Sequence, residues 1–461
     1  MPYTPQHRPS EWLPLLEKSL RPGRVVAADA EVDRLSKDFY WYSPVLERQL
    51  REKRGDAAVQ ARDVDDVRAV LRFAARHGVP VTVRGAGTGN YGQCIPLRGG
   101  ILLDVGALDR VLAVTADGTA VCEPGARLGT VEATARKEGW ELRCYPSTYQ
   151  KASVGGFLAG GSGGIGSITH GVLRDNGTVR RIRLLTLEEE PREVVLEGPD
   201  VLRALHAWGT TGVMVEATIA LAPKVDWAQV AVSFPRFDAC LDFAERVAND
   251  DGWRKRLVTA FEWPIPAWFT PLVKWVPQGE ALAFLEVAQE QLDALGAATV
   301  EAGGTVAFRA PFQEPRRGAQ LSDYTWNHTT LWAKKADPSI TYLQSGFTPS
   351  RVREQIRSLK ERFGDEILMH MEFLRSDGVV VPGALPIVRF TTEARLQEMI
   401  DHSLSIGVGI ANPHINHLEG SGRWRPDDAK LVAKAEYDPR GLLNPGKMLG
   451  YQPRPEHANA A

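Results

Sequence analysis

Apolar and polar positions in the first half of the chain follow short, changing rhythms. At 64–77, Val67, Val70, Leu71 and Ala74 share one face of a helix. Asp63 is placed to cap its start, and Gly78 suits a left-handed stop. Short apolar runs at 79–83, 101–105 and 120–123 predict strands, and 128–138 predicts a second helix ending at Gly139. Residues 180–187 and 193–196 predict a hairpin across the acidic turn Glu188-Glu189-Glu190, and 213–221 predicts a strong strand. Beyond Lys224 the rhythm lengthens. Helices are expected at 237–249, 281–298, 349–363 and 393–406, alternating with strands. The third has Thr348 as cap, Pro349 at its first position and Gly364 as stop.

Two glycine-rich stretches break these rhythms. Gly87-Thr88-Gly89-Asn90-Tyr91-Gly92 fits the GxGxxG pattern of a dinucleotide turn. That turn needs a helix to begin at the glycines. Here Pro96 and the Gly99-Gly100 pair exclude a helix of useful length, and the chain runs on into the strand at 101–105. The stretch therefore reads as a strand–loop–strand nest of main-chain N–H groups able to wrap a diphosphate. Thr88, Asn90 and Gln93 would add side-chain donors, and Arg84 charge; a plain hairpin turn is the alternative. The second stretch, 155–166, has seven glycines in twelve residues, with Phe157, Leu158 and Ile165 woven among them. A flexible linker would lack those apolar residues. Glycine among apolar residues marks main chain that something flat or charged approaches closely.

These residues resemble the vanillyl-alcohol oxidase / p-cresol methylhydroxylase flavoproteins. Val83 to Gly89 is similar to that family's pyrophosphate loop. Ala152 to Gly156, with Tyr145-Pro146-Ser147 before it, is similar to the second FAD segment, and Gly209 to Thr218 to the third. The closing Asp438 to Lys447 is also typical. The resemblance implies an α+β chain: a two-subdomain PCMH-type FAD-binding domain at 1–224, an α+β cap with an antiparallel sheet at 225–408, and a segment at 409–461 returning to the FAD domain. It places the diphosphate on Arg84, Gly85, Ala86, Gly87, Thr88, Gly89, Asn90 and Tyr91, with Gln93 beside them. Pro146, Ser147, Ser153, Gly155, Gly156, Gly160 and Gly163 would follow the ribityl chain and flavin. Gly212 and Val213 would offer main-chain groups, and Asn444 and Lys447 would join from the end of the chain. Members with covalent flavin carry histidine where this chain has Thr88. A hydroxyl is a poor nucleophile for the flavin methyl group, so the expectation is non-covalent FAD.

FAD carries the redox chemistry and the protein must manage protons, a task that favours histidine. His414, with Asn416 on the same face of an extended strand, is the candidate base; a hydrogen-bonded histidine in a packed strand is the alternative. If that strand turns, His414, His417 and Glu419 would meet one metal ion. Alternation at 324–332 would line up Tyr324, Trp326 and His328 as a pocket wall or as cap interior. Glu372 and Arg375 follow on another strand, with Arg375 either clamping a substrate carboxylate or forming a surface ion pair. The leading expectation is an enzyme oxidising an alcohol or 2-hydroxy acid by hydride transfer to flavin. That leading expectation assigns no metal; the others are a non-catalytic flavin-binding subunit of a larger redox complex and a metal-assisted 2-hydroxy-acid dehydrogenase using His414, His417 and Glu419.

Bulk properties narrow the partners. A net charge of -2 gives no basic excess for nucleic acid. Cys94, Cys122, Cys144 and Cys240 are too scattered for a disulfide framework. The polar start at 1–10 lacks the form of a signal peptide, and no apolar run is long enough to span a bilayer, so a cytoplasmic protein is expected. The tail after Tyr451 reads as frayed. A small-molecule substrate is expected, with oxygen or another carrier as electron acceptor, and self-association left open.

Overall fold

The computed structural model describes residues 9–175, 177–312, 320–419 and 428–453. The expectations for residues 1–8 and for the tail from 454 lie outside them.

Local chemistry sets the first layer. Asp63 accepts the N–H of Asp66 at 3.0 Å, and Gly78 takes φ 63°, so Val64–His77 starts and stops as its sequence dictates. Its buried face, Val67, Val70, Leu71 and Ala74, packs on a four-stranded sheet. Each such aliphatic side chain contributes about 1.5–3 kcal/mol by leaving water. The sheet order is Val25–Val26, Ala57–Gln60, Ile101–Asp104, Val81–Arg84, and the last three strands are parallel. The glycine loop after Arg84 thus joins two parallel neighbours, which excludes a hairpin. It leaves from the carboxyl ends of the strands, where open α/β sheets bind ligands.

The second sheet is antiparallel, in the order Val111–Val114, Thr119–Cys122, Val213–Pro223, Val179–Leu185, Glu193–Glu197. The expected acidic-turn hairpin and the strong strand are both present in it. Trp140–Leu142 pairs with the far end of Val213–Pro223. Leu128, Val131 and Ala135 of one helix, and Val154, Phe157 and Leu158 of another, pack into the core beside this sheet. The second glycine stretch is therefore part helix, Val154–Gly160, and not a linker.

The cap is built on an eight-stranded antiparallel sheet. Helices Phe237–Asn249, Val352–Phe363 and Glu393–Ser405 cover one face. The other face carries Phe261, Phe269, Phe284 and Tyr324. Two expectations are corrected here. Residues 281–298 are not one helix: Ala281–Ala288 is a fully buried strand, paired on both sides, and the helix is Leu292–Glu301. An unbroken apolar run fits a doubly covered strand as well as a buried helix, so periodicity alone misreads it. Thr348 makes no side-chain cap; its hydroxyl donates to the carbonyl of Gly407, and the α-helix begins only at Val352.

Gly409–Ile410 still pairs with Ser345–Gly346 in the cap sheet. The chain then returns. Ala433 and Tyr437 pack into the second core, and Leu442 to Asn444 hydrogen-bond along the edge strand at Val81. Asp438, fully buried, fixes that return by accepting the N–H groups of Leu442 and Leu443 and the ammonium of Lys434. No helix among the described residues is long and apolar enough to cross a membrane.

Candidate functional site

The two glycine stretches meet. A Cβ on Gly85 would lie 2.3 Å from the hydroxyl of Ser153, and one on Gly155 would lie 2.7 Å from the Cβ of Pro124. Ser153 in turn caps Val154–Gly160 by accepting the N–H of Gly156 at 3.3 Å. Between these segments and the cap lies a cavity of about 570 Å³, within the usual range of small-molecule and cofactor sites.

Its floor is formed by Gly85 to Tyr91 with Gln93, by Pro146, Ser147, Ser153, Gly155, Gly156, Gly160 and Gly163, and by Gly212. Two of these residues are committed to the loop itself. Asn90 donates its amide to the Tyr342 hydroxyl at 2.7 Å, and the Gln93 carbonyl oxygen accepts the N–H of Tyr91 at 3.0 Å. One of the two amide hydrogens of Asn90 is thereby used in holding the loop to the cap, while the residue still lines the cavity.

Four expected cofactor residues stand outside the cavity. Arg84 donates to the Lys37 carbonyl at 2.6 Å and faces an adjoining crevice with Lys37, Arg127 and Lys151. Val213 is a buried strand residue paired with Leu185. Asn444 donates to the carbonyls of Gln93 and Trp208, both at 2.7 Å, and Lys447 donates to the carbonyl of Gly92 at 2.7 Å. These last two staple the loop from behind, Asn444 through both of its amide hydrogens and Lys447 through its bond to Gly92. Burial pushes the Lys447 ammonium down to about 8, opposed by the nearby Asp38 charge.

The cap side brings together residues far apart in sequence. Trp326, Asn327, His328 and Leu331 line it, with Gln344, Glu372, Leu374 and Leu385. Residues 324–332 do not alternate as a strand. Asn327–Ala336 is a helix, and Trp326 before it takes φ 52°. Tyr324 consequently points inward, stacked on Trp332 at 5.3 Å and packed on Phe269, and is removed from the pocket wall. His328 faces the cavity.

Strand parity sorts Glu372 from Arg375. In His370–Ser376, His370, Glu372 and Leu374 share one face. Arg375 lies on the other and pairs with Asp251 at 2.5 Å, so a carboxylate clamp at Arg375 is ruled out by its direction. The Glu372 carboxylate is buried. Its Oε1 accepts the N–H of Trp326 at 2.6 Å and sits 2.8 Å from Nε2 of His370, while Oε2 has no partner. His370 stacks on Phe261 at 4.9 Å.

His414 is not a base. Its Nδ1 lies 2.8 Å from the Ser43 hydroxyl and its Nε2 2.9 Å from the Tyr342 carbonyl. A carbonyl only accepts, so Nε2 donates; Nδ1 then accepts from Ser43, and neither nitrogen is left for a substrate. Burial holds the ring's pKa down to about 4. Asn416 is also removed: its amide bonds Gln49 at 3.1 Å at the surface, away from the cavity. No group of three or more His, Cys, Asp or Glu among the described residues is arranged to hold a metal ion, and His417 and Glu419 stand 3.9 Å apart without His414. The structure does not bring His414, whose two ring nitrogens are engaged elsewhere, together with that pair.

His170 and His206, like His414, are held down to about 4 by burial. Each folded value lies below the ordinary one, so the stability these rings contribute is complete above about pH 6.5 and is lost as pH falls toward 4. The melting temperature is expected to drop steeply over that interval. His414→Asn should melt lower at pH 7, by about 1–3 kcal/mol of lost hydrogen bonding, yet lose less on acidification. Parallel melting curves for the two proteins would contradict this.

Several lining residues carried no sequence signal. His206 and Trp208 take φ 49° and 51°, conformations non-glycine residues rarely adopt. Asp38, buried in the wall beside the loop, is pushed up to about 7 by burial, with the Lys447 charge opposing. Trp208 Nε1, Trp326 Nε1, Asn327 Oδ1 and Glu372 Oε2 are buried and unpaired, all on residues that line the cavity. A buried polar atom calls for a partner, and a group bound in the cavity can supply it to these four. A glycine-lined floor too tight for side chains, joined to a wall of unpaired polar atoms, suits a large polar cofactor with a flat ring.

Known proteins agree with this geometry. Residues 55–189 match the FAD binding domain family. An uncharacterized FAD-linked oxidoreductase of Mycobacterium tuberculosis is 32% identical over 181 residues, 38% of this chain and 39% of that protein's length. A D-lactate dehydrogenase of Archaeoglobus fulgidus is 26% identical over 432 residues, covering 85% of this chain and 90% of that one. Among solved structures, an alkyldihydroxyacetonephosphate synthase superposes with a TM-score of 0.72 over 96% of this chain and 87% of its own, at 14% identity, a likeness of fold. The chain thus carries an FAD binding domain at residues 55–189 and is similar over most of its length to FAD-linked dehydrogenases and oxidases, and FAD is its cofactor.

Proposed function

We propose that this chain oxidises a CH–OH group of a small molecule, an alcohol or a 2-hydroxy acid, in the cavity between the glycine loops and the cap. The observation that carries this reading is Glu372, a buried carboxylate with one oxygen held and the other unpaired, in the wall facing those loops. The main chain of Gly85 to Gly89 would hold the diphosphate of FAD, and Ser147, Ser153, Gly155, Gly156, Gly160, Gly163 and Gly212 its remaining length. When bound, FAD supplies the oxidant, accepting two electrons with the carbon-bound hydrogen. Glu372 Oε2 receives the hydroxyl proton, and the substrate leaves as the carbonyl compound. The N–H of Trp326 and the ring of His370 fix the carboxylate's orientation through Oε1. Trp326, Leu331, Leu374 and Leu385 keep water from the reacting carbon.

Anaerobic mixing with a panel of hydroxy acids, polyols and aromatic alcohols tests this reading. Bleaching of the yellow absorbance of oxidised flavin by some member is the expected result. Bleaching by none would leave a flavin-binding subunit without catalysis. The flavin is expected to be non-covalent, since Thr88 stands in the loop. Acid precipitation should release the yellow colour to the supernatant, and a yellow pellet would refute this.

A further inference from the structure

We infer that the cavity selects an uncharged hydroxyl compound with an apolar body, and that Glu372 is the residue that turns carboxylates away. The inference rests on the oxidation proposed above and names its substrate class.

Charge is the first argument. Among the described residues, the cap side of the cavity carries the carboxylates of Glu372 and Asp323 and no lysine or arginine. Lys151 is the one lysine or arginine lining the cavity, and it stands at the glycine-loop end, where it also borders the basic crevice of Lys37, Arg84 and Arg127. Arg375, which shares a strand with Glu372, is turned to the opposite face and held by Asp251. A 2-hydroxy acid reaching Glu372 would bring its own carboxylate, losing hydration and meeting like charge where the effective dielectric is low.

Hydrogen-bond matching is the second. The unpaired atoms on this side are two acceptors, Glu372 Oε2 and Asn327 Oδ1, and one donor, Trp326 Nε1. A hydroxyl both donates and accepts, so it can answer both kinds of need, giving its one hydrogen to an acceptor and receiving the N–H of Trp326. A carboxylate only accepts, and would answer Trp326 alone. The rest of the wall, Trp326, Leu331, Leu374 and Leu385, offers apolar surface to the body of the ligand. The D-lactate dehydrogenase similar to this chain is named for a 2-hydroxy acid; these walls favour the uncharged counterpart.

The test uses matched pairs differing only in charge. Benzamide and benzoate cannot be oxidised, so their binding to the FAD-loaded protein is read from flavin difference spectra without turnover. Mandelate and 1-phenyl-1,2-ethanediol give the corresponding reduction rates. The neutral member of each pair is expected to win by about tenfold or more. In Glu372→Gln the binding gap should shrink to about threefold or less, mainly through tighter benzoate binding. Equal or tighter binding of benzoate by the unaltered protein overturns the inference, as does absence of any preference or any binding. A preference that survives Glu372→Gln intact removes Glu372 from it. If no alcohol or hydroxy acid bleaches the flavin, the proposed oxidation fails, and the spectral comparison still decides the charge preference.

Discussion

Alanine in place of Gly85 is expected to strip much of the FAD from the purified protein. The new Cβ would stand 2.3 Å from the Ser153 hydroxyl and 3.7 Å from the N–H nitrogen of Gly156. Ser153 cannot swing aside freely, because its oxygen caps Val154–Gly160. Forcing the segments apart costs about 1–3 kcal/mol, as overpacking does. That cost weakens FAD affinity roughly five- to 150-fold if it falls on the cradle. Adding Ser153→Gly should restore part of the affinity, since it removes the atom in the way. Fluorescence titration of apoprotein with FAD measures both variants. Undiminished affinity in Gly85→Ala would show that the contact between the two loops does not shape the cofactor site.

The second large effect is expected at Glu372. Glutamine keeps an oxygen for the N–H of Trp326 and the ring of His370, so fold and flavin content should persist. It cannot take up a proton as a carboxylate does. Flavin reduction by the best substrate should slow by about 10²–10⁴-fold, the usual contribution of general base catalysis. Rapid-mixing spectroscopy would measure it. A reduction rate within about threefold of the original would remove Glu372 from proton transfer.

Much of this architecture was legible where a local rule admits one answer. Asp63 and Gly78 bounded their helix because a cap and a left-handed stop have few alternatives. The loop after Arg84 could be separated from a dinucleotide turn because Pro96 and two glycines forbid the helix that turn requires. Ala281–Ala288 was misread because burial on both faces erases the alternation by which strands announce themselves. The His414 expectation failed for another reason. Its type suited the chemistry, but Ser43 and the Tyr342 carbonyl, which occupy its nitrogens, lie 371 and 72 positions away in sequence. Of the two expectations for Arg375, the surface ion pair is the one found, because three positions on a strand put it on the face opposite Glu372. Parity alone would have separated the two residues.

Asn444 and Lys447, near the end of the chain, hold the carbonyls of Gly92, Gln93 and Trp208 in the cradle. Segments 236 to 355 positions apart must therefore come together before the vitamin-derived prosthetic group has a finished seat, so a chain whose sheets have formed locally is not yet ready to load it.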